Sequence, residues 1–298
     1  MTDQKSMRKG VGSFKKREAH AALLFLVIPL FFFSLFKIYP MLSNFYLSFT
    51  RYNMVSQPQW VGLSNYLEAL QDRVFWAAVR NTVVYGLSVI LVIMALSLLV
   101  AIALNKILPG VIIFRSCFYA PSVISIVVVS MIWMWLYQPQ AGLINYVLEK
   151  IGFEPQFWLD NPHLALSSVI IVTIWQQLGY NMIIFLAGLQ GIPDLLYEAA
   201  TIDGAGRWSK FWYVTIPSLK PIFLFVIVTT FIFVFRNFPI IFIMTEGGPF
   251  NTTNTLVYEV YRNSFNYSRG GYGAVFAVVL LSICLVFSLI NLRLLRSE

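Results

Sequence analysis

The sequence predicts an all-α membrane protein with six transmembrane helices and both termini in the cytoplasm. Three observations predict it. Of 298 residues, 58% are hydrophobic and only 11% charged, where soluble domains carry about 25% charged residues. A protein core alone cannot use that much apolar surface, so the chain is built for a bilayer. The apolar residues gather into six runs, each long enough to cross a hydrocarbon layer about 30 Å thick. The cationic residues between those runs fall mostly on one side.

Span one covers residues 21–36 and continues past Lys37 through 38–47. It is too long for a cleaved signal peptide, and no small-residue cleavage site follows it. Lys37 is expected to snorkel toward the outer interface. Spans two, three and four, residues 82–104, 116–136 and 164–189, carry no charge. Span five, 221–245, is interrupted only by Arg236, and span six is 272–292. Cys117 and Cys284 both lie in apolar runs, which argues against a disulfide framework.

Orientation follows from the positive-inside rule. With the N-terminus inside, thirteen cationic residues face the cytoplasm: Lys5, Arg8, Lys9, Lys15, Lys16, Arg17, Lys106, Arg115, Arg207, Lys210, Lys220, Arg293 and Arg296. Six face outward: Arg51, Arg73, Arg80, Lys150, Arg262 and Arg269. The net charge of +8 is therefore read as cytoplasmic retention and not as a nucleic-acid surface. Residues 1–20 read as a basic cytoplasmic tail.

One polar island interrupts the apolar pattern, residues 197–221, YEAATIDGAGRWSKFWYVTIPSLKP, on the predicted cytoplasmic side. Ile192-Pro193-Asp194 reads as a helix start, with proline in the first turn and an acid favoured by the dipole. Leu195 to Ile202 are good helix formers, Gly204 and Gly206 stop that helix, and Arg207 to Tyr213 form a second before Pro217 ends it. Small Ala199 and Ala200 let another surface approach, and Glu198 and Asp203 offer it charge. The spacing is Glu198-Ala199-Ala200, three residues, Gly204, nine residues, then Val214-Thr215-Ile216-Pro217. This resembles the EAA loop of the membrane subunits of binding-protein-dependent ABC importers, whose pattern ends Ile-x-Leu-Pro. Val214 and Ile216 are conservative departures. In that family the loop is the socket for a separate ATPase. The resemblance thus assigns ATPase coupling to Glu198, Ala199, Ala200, Asp203, Gly204 and Pro217.

Three more stretches resemble the sugar-transport branch of that family, the maltose-type (MalF-like) permeases. They are WVGLSNYLEALQDRVFWAAVRNTVVYG at 60–86, FRSCFYAPSVISIVVVSMIWMWLYQPQAGLIN at 114–145 and MTEGGPFNTTNTLVYEVYRNSF at 244–265. The resemblance covers roughly residues 38–292. It lacks the large periplasmic insertion of the maltose permease, so the chain is similar to the compact six-span members. It implies a type I ABC importer transmembrane domain over 21–295, with a coupling loop at 190–220, in a bacterial inner membrane. The implied partners are a second homologous permease, two ATPase subunits and an extracytoplasmic solute-binding protein, working by alternating access on a sugar, in this branch expected to be an oligosaccharide. The chain has no G-x-x-x-x-G-K-[ST] loop to cradle phosphates, no H-E-x-x-H and no C-x-x-C. ATP and Mg are expected on the partner ATPase, with no cofactor and no enzyme activity in this chain.

Polar groups inside a bilayer are costly and usually functional. Arg236 is the sharpest, and suits an acidic sugar such as a uronate oligosaccharide or a sugar phosphate; a neutral oligosaccharide stays open. By resemblance, Asn237, Thr230 and Phe233 match positions that contact sugar in the maltose-type branch. On span four, Gln176 and Gly179 share a face, with Tyr180 beside them, while Gln177 and Asn181 share another. The substrate-binding expectation is placed on Gln176, Gly179, Tyr180, Thr230, Phe233, Arg236 and Asn237. One face of span four is expected to be interhelical glue instead, and which face lines the cavity is left open. The alternative is a stand-alone secondary transporter or channel. It would need ion-coupling carboxylates, and none of the six spans holds an Asp or Glu. A structural membrane protein would have no use for a hairpin of this spacing.

Overall fold

The computed structural model describes residues 25–106 and 109–296. The basic tail expected over 1–20 and the first residues of span one lie outside that range. The chain opens with α1 (Phe25–Leu47), followed by a small antiparallel ribbon of β1 (Thr50–Arg51) and β2 (Gln59–Trp60) in which Thr50 pairs with Trp60. Then come α2 (Ser64–Gln71), α3 (Arg73–Leu104), α4 (Val111–Val123), α5 (Ile126–Leu136), α6 (Leu143–Lys150) and α7 (Ala165–Gln190). A hairpin of α8 (Asp194–Ile202) and α9 (Arg207–Ser218) leads into α10 (Lys220–Arg236). The chain closes with α11 (Phe238–Met244), α12 (Leu256–Tyr261) and α13 (Gly270–Arg296).

α1, α3, α7 and α13 are each long and apolar enough to cross a membrane unbroken, and the bent pairs α4–α5 and α9–α10 bring the spans to six. Span three is thus not the single rod expected. α4 and α5 meet at 100°. Pro121, in the last turn of α4, has no N–H to bond the carbonyl of Cys117, and its ring crowds that carbonyl. Ile124 and Ser125 are extended, with ψ of 138° and 134°. Span five also breaks, at Asn237 (φ −81°, ψ 68°). Pro239 sits in the first turn of α11, where a missing N–H costs nothing, so the helix restarts instead of running through.

Pro217 does not end the second hairpin helix, contrary to expectation. A π-turn over Phe211–Thr215 closes with Ile216 N–H donating to the Phe211 carbonyl, and the helix continues to Ser218. α1 carries the same device: a π-turn over Ser34–Ile38, with Tyr39 N–H donating to Ser34, two residues before Pro40. A wider turn just ahead of a proline shifts the ladder past the carbonyl the ring would otherwise strike.

Three apolar clusters stack along the bundle. At the hairpin end Leu98 and Ala101 of α3 meet Phe185 and Leu189 of α7 and Leu219. At mid-height Tyr85, Val89, Val172, Phe235 and Ile241 form the largest cluster. At the opposite end Phe75, Ala78, Leu256 and Phe276 form the third. None of the apolar window of α1 is buried.

The end opposite the hairpin is tied by polar contacts. Asp72 caps α3 by accepting from Val74 N–H (2.8 Å) and from the Tyr272 hydroxyl (2.8 Å). Asn81 donates to the carbonyls of Asn251 (2.8 Å) and Asn254 (3.0 Å), and Leu256 N–H donates to Thr82 Oγ1 (2.9 Å). Glu259 is buried on α12, accepts from Asn254 and Asn263 and pairs with Arg262; burial pushes its carboxyl above the ordinary carboxylate range. These contacts fix the loop after α11, and α12 with it, on α3.

Gly179 marks a close helix–helix approach, because a Cβ there would collide with the backbone of Phe118 on α4. Gly179→Ala should therefore destabilise by about 1–3 kcal/mol, the usual range for overpacking. Thermal unfolding in detergent reads this, with Gly206→Ala, where a Cβ meets open space, as the control.

Candidate functional site

The α8–α9 hairpin is built as a rigid projection. Pro193 and Asp194 open α8. It closes in a Schellman motif: Ala205 N–H donates to Ala200 (2.8 Å), Gly204 N–H donates to Thr201 (3.0 Å), and Gly204 takes φ +77°. Glycine is needed there for its left-handed backbone. The two arms are braced by the Tyr197 hydroxyl against Thr215 Oγ1 (2.9 Å) and by Lys210 Nζ donating to Thr201 Oγ1 (2.6 Å). Tyr197, Phe211 and Ile216 pack onto the cluster at the hairpin end of the bundle.

The outer surface of the hairpin is bare. Glu198, Ala199, Asp203, Gly204 and Pro217 are exposed, and Ala200 is half-buried. Among the described residues, no side-chain hydrogen bond or ion pair engages Glu198 or Asp203. Leu195, Ile202, Trp208 and Tyr213 are exposed around them, Ile202 at 87%. Apolar side chains rimmed by charge on a projecting element form the kind of patch that marks a protein interface. The sequence expectation named the charged and small residues of this patch. It missed the apolar ones, whose signal was bulky side chains within a polar island.

A cavity of about 670 Å³ lies at mid-height of the bundle, between α4, α5, α7 and the α10–α11 break. Tyr180, Thr230, Phe233, Arg236 and Asn237 of the expected binding set line it. Gln176 and Gly179, the other two residues of the expected binding set, do not line it. Gln176 is buried, its Nε2 donating to the Ile124 carbonyl (3.1 Å) left free by the α4–α5 break. Gly179 is the seat of α4. Both are packing residues, and the face of α7 turned to the cavity is that of Gln177, Tyr180 and Asn181. Tyr119, Ser122 and Thr229 complete the polar lining, and sequence reasoning passed over them. Ser122 beside Pro121 was the available clue, since a proline-broken helix exposes its end.

Hydrogen bonds order this wall. Thr230 Oγ1 donates to Asn181 Oδ1 (3.4 Å), and Asn181 Nδ2 donates to the Gln177 carbonyl (3.0 Å). Asn237 Nδ2 donates to the Tyr85 hydroxyl (3.3 Å), which lies 2.9 Å from Thr173 Oγ1, so the break in span five is pinned to α3 and α7. Arg236 is exposed at the end of α10, and among the described residues no carboxylate lines the cavity with it. The site therefore presents amides, hydroxyls, aromatic rings and one cation. That donor set suits a polyhydroxylated solute, neutral or anionic.

Comparisons with known proteins agree with this architecture. The family model described as binding-protein-dependent transport system inner membrane component matches residues 93–297. The arabinooligosaccharides transport system permease protein AraP of Bacillus subtilis (strain 168) is 38% identical over 265 residues, covering 88% of this chain and 84% of its own. A crystal structure of a bacterial ABC transporter that imports the acidic polysaccharide alginate is similar in fold, with TM-score 0.81, 23% identity and coverage of 95% of this chain and 98% of the other. The alginate transporter in complex with an alginate pentasaccharide-bound periplasmic protein matches with TM-score 0.79, 22% identity and coverage of 93% and 95%. With six apolar spans, an exposed hairpin of EAA spacing and a family match over two thirds of its length, this chain belongs to the inner-membrane permease components of binding-protein-dependent ABC transport systems.

Proposed function

We propose that this chain is one permease half of an ATP-driven oligosaccharide importer. The observation that carries the reading is the polar cavity at the middle of the 26-residue α7, lined by side chains that can satisfy sugar hydroxyls. A second homologous permease supplies the other half of the pathway, and a solute-binding protein delivers the sugar. ATP and Mg belong to two ATPase subunits docked on the α8–α9 hairpin, through Glu198, Ala199, Ala200, Asp203, Gly204 and Pro217. The hairpin and both termini face the cytoplasm, in line with the distribution of Lys and Arg.

The geometry supports a direct coupling route. α9 runs through Leu219 into the 17-residue α10, about 26 Å long at 1.5 Å per residue. One end of this lever is the hairpin, and the other is Arg236 and Asn237 in the cavity wall. A displacement of the hairpin by closing ATPases moves the wall directly. Rigid-body rocking around a mid-membrane site then gives alternating access.

Arg236 bears on substrate charge. Its guanidinium has no acidic neighbour in the lining, which favours an acidic sugar over a neutral one. Arg236→Ala in the assembled transporter should lower uptake of a uronate oligosaccharide about tenfold or more, the loss expected for one desolvated charge pair. Sugar-stimulated ATPase activity should fall far less, and equal uptake by wild type and variant would reject the acidic preference. At the hairpin, Glu198→Lys should cut the ATPase that co-purifies with the tagged chain by about tenfold, as reversal of an interface charge does. The thermal midpoint of the chain should not move, because Glu198 is exposed. Undiminished co-purification and transport would remove the hairpin as the socket.

A further inference from the structure

A second cavity, of about 410 Å³, stands beyond the first along the same two helices. Ile126 of α5 and Pro239 of α11 line the mid-height cavity, whereas Met131 and Met134 of α5 and Met244 of α11 line the second. Five residues separate Ile126 from Met131 and Pro239 from Met244, a rise of about 7.5 Å on each helix. Both helices climb away from the α8–α9 hairpin, so the second cavity lies on the far side of the first, one sugar-sized step along a shared wall.

Its lining differs in kind from an incidental gap between helices. Among the described residues, neither Gln138 nor Asp160 makes a side-chain hydrogen bond or ion pair, and both are exposed at this cavity. Two tryptophans stand close together on α5 and behave differently. Trp133 is committed to ring contacts with Tyr137 (5.3 Å) and Trp175 (5.6 Å). Trp135 enters no ring pair among the described residues, is 55% exposed and lines the cavity. A free indole face, an amide and a carboxylate are what a sugar ring asks of a protein: an apolar platform and acceptors for hydroxyls. The Tyr137 hydroxyl donates to the Ser168 carbonyl (3.2 Å), which holds this wall against α7.

From this juxtaposition we infer that the second cavity is an entry subsite for another unit of the oligosaccharide, with Trp135 as its stacking platform and Asp160 and Gln138 as its hydroxyl partners. The inference rests on the sugar-importer reading and deepens it. The two sites differ in charge: Arg236 borders the first and Asp160 the second. A carboxylate repels uronates, so the entry subsite takes a neutral sugar unit, while an acidic unit fits beside Arg236. The substrate class is a chain of more than one sugar, held across both cavities.

The test uses the assembled transporter in vesicles, with its partner permease, ATPases and binding protein. Initial uptake is measured for arabino-oligosaccharides and for uronate oligosaccharides, each from disaccharide to hexasaccharide. Trp135→Ala and Asp160→Asn should lower uptake of the longer neutral chains about three- to tenfold, the scale of one aromatic contact, and leave disaccharide uptake unchanged. Trp135→Phe, which keeps a ring, should restore long-chain uptake. Equal loss at every length, or no loss at any, overturns the subsite while leaving the importer reading in place. Failure of the wild type to move either series, with its ATPase still bound, overturns the sugar reading itself and the subsite with it.

Discussion

Backbone that leaves the helix inside a hydrocarbon layer must find partners in the protein or face water, because lipid offers none. That constraint organises this molecule. The chain leaves the helix twice within its apolar spans, at Ile124–Ser125 and at Asn237, and both departures border one cavity. Each has a dedicated partner. Gln176 donates to the Ile124 carbonyl; Asn237 turns its own N–H back to the Val234 carbonyl (3.2 Å), and its side chain is held by Tyr85, itself against Thr173. The breaks shape the cavity, and buried polar residues on α3 and α7 make them tolerable.

The same breaks define the moving parts. α9 and α10 meet at 61°, and α10 stops at Arg236 within the cavity wall. A lever needs a stiff arm and a joint at each end. The hairpin joint is braced by Tyr197–Thr215 and packed by Phe211 and Ile216; the cavity joint is a single residue pinned by one amide. Cavity walls that change shape with the hairpin follow from this asymmetry, without any deformation of the packed α3–α7 pair.

The six spans, the hairpin and most of the cavity residues were legible in the sequence because hydropathy, Gly–Pro punctuation and EAA spacing each leave a local trace. Arg236 could be read because a cation in an apolar run is conspicuous. What failed was facing. Gln176 and Gly179 combine an amide with a small residue, and this pair serves a sugar site or a tight helix crossing equally well. In the structure Gly179 seats Phe118 of α4, a placement no local pattern announces. Pro217 misled for a related reason. A proline predicts a stop, but a π-turn ending two residues upstream absorbs it, and no sequence signal for that turn is local. Trp133 and Trp135 are likewise indistinguishable in sequence and opposite in use.

Arg236 shows how magnitudes bear on substrate. A cation at the centre of a membrane helix costs about 2.5–3.5 kcal/mol on insertion scales. Its place at the C-terminal end of α10 recovers some of this, because the helix dipole favours a cation there, by about 0.3–1 kcal/mol. Water in a 670 Å³ cavity reduces the cost further. No carboxylate in the lining cancels the charge, and the fold had a cheaper option in any neutral polar residue at this position. A cation kept where the helix only partly compensates it leaves a positive potential in the cavity. On the acidic-sugar reading proposed above, an anionic group entering beside Arg236 relieves that potential, which gives the charge a use that holding the helices together does not.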